Sequence, residues 1–164
     1  MLIGVLSDTH IPAAASRVPE QVIAGFAGVN LILHAGDLTS YAVVEQLEEL
    51  APVKAVTGNM DRKMVAQEFP LELVLTIAGV KIAIWHGHGD FARQNIMYHS
   101  LERFPAANCI IFGHTHQPFK EYINNTLLLN PGSPTDKRWQ QEYSFALLEV
   151  KDGQINRAEL KYFS

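Results

Sequence analysis

Five short apolar runs in this 164-residue chain each stop at side chains that bind metals. Leu2–Leu6 leads to Asp8-Thr9-His10, and Leu31–Leu33 leads through Gly36 to Asp37. Val53–Val56 leads to Asn59-Met60-Asp61, Val80–Trp85 to His86-Gly87-His88, and Cys109–Phe112 to His114-Thr115-His116. Runs of four to six apolar residues bounded by glycine and polar residues have the length of buried strands. In open α/β sheets the carboxyl ends of such strands line the ligand crevice. Five of them ending in the same chemistry therefore point to one shared site.

The segments between the runs set the fold class. In the first half helical patterns are expected over 19–27, with Pro19 in the first turn, and over 40–50. In the second of these Ser40 is a cap, and Val43, Val44, Leu47 and Leu50 form one apolar face. Strands alternating with helices mean βαβ units and parallel pairing. The second half changes pattern. Leu71, Leu73, Leu75 and Ile77 alternate with polar or smaller residues, and Ala78-Gly79 turns the chain into Val80–Trp85 as a hairpin. A helix over 92–104 carries Met97, Leu101 and Phe104 on one stripe, and further hairpins turn at Asn124-Asn125 and Asp152-Gly153. The expectation is two mixed sheets packed together with helices outside, an α/β (α+β) arrangement in one domain spanning 1–164.

Composition limits the partners. Thirteen Lys and Arg against seventeen Asp and Glu give a net charge of −4, which argues against holding long nucleic acid or an anionic membrane by field alone. A single cysteine, Cys109, cannot form an internal disulfide, the pattern of a reducing compartment. No apolar run approaches the length of a membrane span, and residues 1–7 lack the character of a signal peptide. A cytoplasmic location is expected.

The spacings suit metal binding locally. Asp8 and His10 are two apart, as are His114 and His116, so in extended chain each pair projects to one side. Gly36, Gly58, Gly87 and Gly113 permit tight turns and close approach beside the ligands. A donor set of Asp, His and Asn without cysteine suits Mn²⁺, Fe²⁺ or Zn²⁺ and is a poor match for Mg²⁺. No Walker A, G-x-S-x-G or H-E-x-x-H pattern occurs, which removes P-loop, α/β-hydrolase and zincin readings.

The order D-x-H, G-D, G-N-x-D, H-G-H and G-H-T-H resembles that of the calcineurin-like metallophosphoesterases. Asn130-Pro131-Gly132-Ser133 after the last histidine pair, and the short length, are similar to the small bacterial and archaeal phosphodiesterase branch, to which the retromer subunit of the same fold is related. The resemblance covers essentially the whole chain. It implies a four-layer αββα sandwich with a dinuclear centre at the strand ends. Carried over by position, it puts Asp8, His10, Asp37 and His116 on the first metal, and Asp37, Asn59, His86 and His114 on the second, with Asp37 bridging. It implies two divalent ions, Mn²⁺ first, with Zn²⁺, Fe²⁺ or Ni²⁺ as alternatives. A hydroxide bridging the ions would attack a small phosphodiester in line, with Asp37 and Asn59 supporting the chemistry.

The chain departs from many members at Met60, where they carry a histidine given the leaving-group role; a thioether cannot donate a proton. His88 is the candidate substitute through water, against orienting a ligand from behind, substrate contact or plain surface placement. Asp61 is expected to fix the Asn59 loop by a local Asx bond. His34 is expected as a satisfied core histidine, His99 as a surface residue of its helix, and Asn130–Ser133 as a turn packing the histidine loop. Lys63, Arg93 and Lys137 are expected on solvated faces, while Arg62 and Arg138 stay open as residues that grip phosphate. Trp85 and Trp139 are expected in core or rim packing. Competing functions are a non-catalytic protein-binding scaffold of the same fold, a phosphomonoesterase and, last, a nuclease. Retention of Asp37 and Asn59 favours the enzyme. Dimers are frequent in this branch, so a homodimer is an expectation, although nothing in the chain identifies its interface.

Overall fold

The computed structural model describes every residue except Arg62, Asp90 and Phe91, and gives no side-chain account of Met64 or residues 92–94. Among the described residues ten strands form two five-stranded sheets. The first contains β1 (Leu2–Leu6), β2 (Leu31–His34), β3 (Val53–Ala55), β9 (Tyr143–Lys151) and β10 (Gln154–Phe163), in the order β10-β9-β1-β2-β3. The second contains β4 (Glu72–Ile77), β5 (Val80–Trp85), β6 (Cys109–Phe112), β7 (Phe119–Ile123) and β8 (Thr126–Asn130), in the order β4-β5-β6-β8-β7. Both are mixed. β1 pairs in parallel with β2 and antiparallel with β9; β6 pairs in parallel with β5 and β8, while β4 and β7 close the edges antiparallel.

The layers follow from the period of two along each strand. Ile3 and Val5 of β1, with Leu31 and Leu33 of β2, face Ile82 and Ile84 of β5 and Cys109 and Ile111 of β6 in a core between the sheets. The alternate residues face outward. Ile32 and Leu147 meet helices α1 (Glu20–Gly25) and α2 (Ala42–Glu48) through Val22, Val43, Val44 and Leu47. On the other side Ala83, Ile110, Phe112 and Leu128 meet Ile96 of α4 (Ala92–Arg103) and Phe104 just beyond its end. Helix, sheet, sheet and helix stack as the expected αββα sandwich.

All three hairpins turn where expected. Ala78-Gly79, Asn124-Asn125 and Asp152-Gly153 each place both residues at positive φ, the requirement of a type I′ turn. Ser40 Oγ accepts the Ala42 N–H at 3.2 Å, and Val43, Val44 and Leu47 are buried, while Leu50 is only half-buried. Two features differ from expectation. A six-residue helix, α3 (Lys63–Glu68), follows the Asn59 loop; it anchors chiefly through Val65 and is too short to show a periodic pattern. The helix expected over 92–104 is broken at Asn95 (φ −169°, ψ 67°). Asn95 Oδ1 accepts the Tyr98 N–H at 3.2 Å, so the continuous helix starts there under an N-cap, and Ile96 joins the buried stripe. Among the described residues no helix is long and apolar enough to cross a membrane.

Candidate metal centre

The carboxyl ends of β1, β2, β3, β5 and β6 meet at one edge of the inter-sheet seam, and the loops leaving them carry the predicted ligands. Five of the seven, Asp8 (φ 56°), His10 (φ 45°), Asp37 (φ 58°), His114 (φ 68°) and His116 (φ 58°), lie in the left-handed region. Non-glycine residues adopt it at a cost of order 1 kcal/mol, and such strain gathers where surrounding structure imposes a functional geometry. Here the loops turn sharply at the strand ends and point their side chains back over the seam.

Each aspartate is held by one oxygen and presents the other. Asp8 Oδ2 accepts the Ser7 hydroxyl at 2.6 Å and the His114 N–H at 3.0 Å. Asp8 Oδ1 is buried and has no hydrogen-bond partner, yet it lies 3.3 Å from His116 Nε2, 3.8 Å from His10 Nε2 and 3.9 Å from His86 Nε2. Asp37 Oδ1 accepts the Met60 N–H at 2.7 Å, and its Oδ2 faces His86 Nε2 at 3.3 Å and His10 Nε2 at 3.6 Å. Close packing enforces this arrangement. A Cβ on Gly113 would strike Ser7 Oγ and stand 2.8 Å from Asp8 Oδ2; a Cβ on Gly58 would strike Asp37 Oδ1 and its backbone nitrogen.

The imidazoles are aimed from behind. His86 Nδ1 donates to the Ala35 carbonyl at 2.8 Å and His116 Nδ1 to the Asp136 carbonyl at 2.6 Å, which turns each Nε2 toward the carboxylates. His10 and His116 bring their Nε2 atoms within 3.2 Å of each other, and Asn59 Oδ1 lies 3.2 Å from His86 Nε2 and 3.0 Å from His114 Nδ1. Two groups each offer three ligand atoms within 4.8 Å of one another, Asp8-His10-His116 and Asp8-Asp37-His86. By distance Asp8 is common to both, while Asp37 Oδ2 spans His10 and His86, one from each expected set.

The electrostatics demand positive charge. Burial alone would raise the pKa of Asp8, but the imidazoles of His10, His116 and His86 facing it hold it far below the usual carboxylate range. Burial also opposes the Asp37 charge, and His86 and the Met60 N–H outweigh it, so its pKa falls. Burial pushes His86 and His116 down, and the carboxylates of Asp37 beside His86 and of Asp8 beside His116 reverse the shift upward. Two buried carboxylates facing lone-pair nitrogens, with one carboxylate oxygen unpartnered, fit a divalent cation, and oxygen and imidazole donors suit a metal of intermediate hardness.

Residues 1–153 match the family model described as the calcineurin-like phosphoesterase superfamily domain. The chain belongs to that superfamily. It is 49% identical over 142 residues to a probable metallophosphoesterase of Methanothermobacter thermautotrophicus, covering 84% of this chain and 80% of the relative. It is 28% identical over 144 residues to a phosphodiesterase of Methanocaldococcus jannaschii, covering 80% and 83%. Among solved structures, a single-residue variant of Vps29 from Entamoeba histolytica superposes with a TM-score of 0.77 at 25% identity, over 100% of both chains. The chain is thus of the metallophosphoesterase family, and its buried aspartates and histidines form candidate metal-ligand groups.

The remaining candidates fall on both sides of the metallophosphoesterase site. Asp61 reaches further than a local turn: its carboxylate accepts the N–H groups of Gly58 (2.7 Å), Asp37 (3.1 Å) and Thr39 (2.6 Å), tying the β3 loop to the β2 loop. Asn130 Nδ2 donates to the Gly113 carbonyl and to Thr115 Oγ1, both at 3.0 Å, so the Asn130–Ser133 turn does pack the histidine loop. Ser133 Oγ and Thr135 Oγ1 extend that role to the other half, donating to the Asp8 carbonyl at 2.7 Å and the Thr9 carbonyl at 2.6 Å. Sequence reasoning missed both, because no local signal marks a contact across 125 residues. His88 sits beside the site with its ring 5.4 Å from His86, half-buried, its Nδ1 unpartnered; burial and then the field of His86 lower its pKa. His34 is fully buried in β2 with Nε2 3.2 Å from Thr9 Oγ1, although its Nδ1 has no partner. His99 lies half-buried, 3.6 Å from Glu102.

Lys63 is exposed, and Lys137 folds over the Tyr143 ring and donates to the Gln141 carbonyl. Arg62 and the side chain of Arg93 lie outside the described residues. Trp85 packs as expected, edge-on to Phe104 with Nε1 donating to Ser100. Trp139 does not pack: it is 95% exposed. It follows directly on Arg138, in a loop whose backbone turns outward through a residue at φ 46°.

Proposed function

We propose that this chain is a dinuclear metallophosphodiesterase. The observation that carries the proposal is the unpartnered, buried Asp8 Oδ1 facing three imidazole nitrogens beside the free Oδ2 of Asp37. In this reading Asp8, His10, Asp37 and His116 hold one divalent ion, and Asp37, Asn59, His86 and His114 hold the other. When bound there, two such ions neutralise phosphate oxygens and supply hydroxide from water at neutral pH. Mn²⁺ is the first choice, because imidazole and carboxylate are both acceptable to it.

The chain's own residues do the positioning. Asp61, Ser133 and Thr135 fix the backbone of the ligand loops, so the geometry exists before substrate arrives. Asn59 Oδ1, between His86 and His114, orients both rings. Hydrolysis forms one bond from a water oxygen to phosphorus and breaks the bond to the leaving oxygen, which takes up a proton. Met60 cannot give that proton. A lowered pKa leaves His88 neutral near pH 7, which suits it to orient substrate or water through a hydrogen bond more than to act as a strong acid. Activated esters, whose leaving groups need no proton, are therefore the best substrates for a direct test, and His88→Ala should lower activity on esters with poor leaving groups.

The substrate is a small phosphodiester, as the relation to a named phosphodiesterase and the net charge of −4 both support. A cytoplasmic site of action agrees with the single Cys109, which is buried. The test is hydrolysis of bis(p-nitrophenyl) phosphate by metal-stripped protein, before and after Mn²⁺ is added, beside Asp37→Asn. Restoration by metal and loss in the variant is the expected result. Folded protein that is inert with every first-row divalent metal would overturn the proposal in favour of a scaffold role.

A further inference from the structure

A cleft of about 470 Å³ opens beside the metal centre, lined by His10, Ala13, Ala14, Met60, Thr135, Asp136 and Arg138. Its only ligand residue is His10, so it extends from the Asp8-His10-His116 group and away from His86 and His114. One wall is apolar and adaptable, made of Ala13, Ala14 and the 55%-exposed Met60. The other ends at Arg138, the one Lys or Arg among the described residues that line it.

Three features show that this arginine is presented rather than left over. First, its backbone is held at φ 46°, where a residue other than glycine needs support. That support is present: Asp136 Oδ1 accepts the Arg138 N–H at 3.3 Å, and the Gln140 N–H bonds the Lys137 carbonyl at 2.8 Å. Second, the guanidinium is not consumed. Its one ion pair is between Nε and Asp136 Oδ2 at 3.9 Å, beyond hydrogen-bond range, and no hydrogen bond or ion pair engages its terminal nitrogens among the described residues. Third, Asp136, the counter-charge, is already committed to the site: its carbonyl holds His116 Nδ1, and its Oδ2 lies 3.5 Å from the same nitrogen. The loop that orients a predicted ligand therefore also carries the free cation, fixing one relative to the other.

Resting on the phosphodiesterase reading, we infer that Arg138 selects substrates with a second oxyanion on the ester group that stays with phosphorus. That group's stem lies against Met60 and Ala13–Ala14, and its carboxylate or phosphate end meets the guanidinium fork. Arg suits this task because it offers two parallel donors at fixed geometry to either kind of oxyanion. Met60 then contributes apolar contact where a proton donor would otherwise stand.

The test uses full-length, Mn²⁺-loaded protein and three p-nitrophenyl phosphodiesters. The second ester is butyl, 3-carboxypropyl or 3-phosphonopropyl, so the leaving group never changes. Expected is a kcat/KM for the charged esters about 10-fold or more above butyl, as for hydrogen bonds to a charged group. In Arg138→Ala the ratio should collapse toward one, and in Arg138→Lys it should be intermediate. Arg138→Asn, which tolerates positive φ, guards against a folding defect. A carboxylate preference against a phosphonate preference identifies the end group. Calorimetric binding of 3-phosphonopropionate against propylphosphonate gives a readout that needs no turnover. Equal rates for all esters in the wild type, or a parallel loss with an unchanged ratio in Arg138→Ala, would overturn the inference and make Arg138 a support for the Asp136 loop. Arg138-dependent binding in a protein that hydrolyses nothing would instead uphold this anion grip while sinking the phosphodiesterase reading.

Discussion

The two sheets contribute unlike things to the centre. The first sheet supplies both carboxylates, Asp8 after β1 and Asp37 after β2, each with one oxygen tied down by hydrogen bonds and the other turned to imidazoles, together with His10 after β1 and Asn59 after β3. The second supplies imidazoles: His86 after β5, and His114 and His116 after β6. Charge has its main effect where water is excluded, whereas imidazoles depend on how they are turned. Neither half is complete alone. The Ala35 carbonyl of the first half orients His86, and the His114 N–H of the second half ties Asp8. The site belongs to the seam.

The comparison breaks most directly at the ligands. Asp8→Asn or Asp37→Asn removes a buried charge that other groups were arranged to meet, and should lower metal-dependent kcat/KM by about 10³ or more. His114→Ala removes a half-exposed predicted ligand that shares Asn59 with His86 and should lower it by about 10² or less. Steady-state kinetics at saturating Mn²⁺ decide this, and losses of equal size would erase the distinction between the halves.

A smaller effect tests the seam itself. Gly113→Ala, in the second half, pushes a methyl into Ser7 and Asp8, and Gly58→Ala, in the first, pushes one into Asp37. Each should destabilise the fold by about 1–3 kcal/mol, the range for overpacking, measured by urea denaturation at constant m. Each should also weaken Mn²⁺ binding measured by calorimetry, since both displace an aspartate. Loss of stability with unchanged metal affinity would show that packing and ligand geometry are separable here.

The smallest effect concerns His34, a histidine of the charge-supplying half that takes no part in the metal groups. Burial lowers its pKa to about 3, from an ordinary 6.5. The unfolded chain therefore binds a proton below pH 6.5 that the folded chain refuses until about pH 3. The resulting stability is complete above pH 6.5 and is lost as pH falls through that window. His34→Gln keeps a side-chain nitrogen for Thr9 and cannot titrate. It should stay within about 1 kcal/mol of wild type at pH 8 while showing a shallower loss of stability between pH 6.5 and 3. Parallel acid limbs would assign that loss to other groups.

Much of this was legible in the chain. Apolar runs of strand length, hairpin pairs such as Asp152-Gly153 and the order of ligand residues are local features, and each local preference agrees with the fold. Asn95 shows the limit. As a helix breaker and cap it carried a usable signal, but the apolar stripe around it suggested one continuous helix. Trp139 shows another, since an aromatic residue's burial depends on what the rest of the chain brings near it.

The sequence by itself determined most of the strands and their turns, that their ends carry candidate metal ligands and that the family is that of the phosphoesterases. Tertiary structure alone decided which oxygen of each aspartate stays free, how Asp61, Ser133 and Thr135 lock the loops, and that Arg138 faces the same cleft as Met60. The reason is physical. Strand and turn formation follow from neighbours in sequence, but a free lone pair or a guanidinium with open terminal nitrogens is defined by every group that could have engaged it, and those arrive from the whole chain.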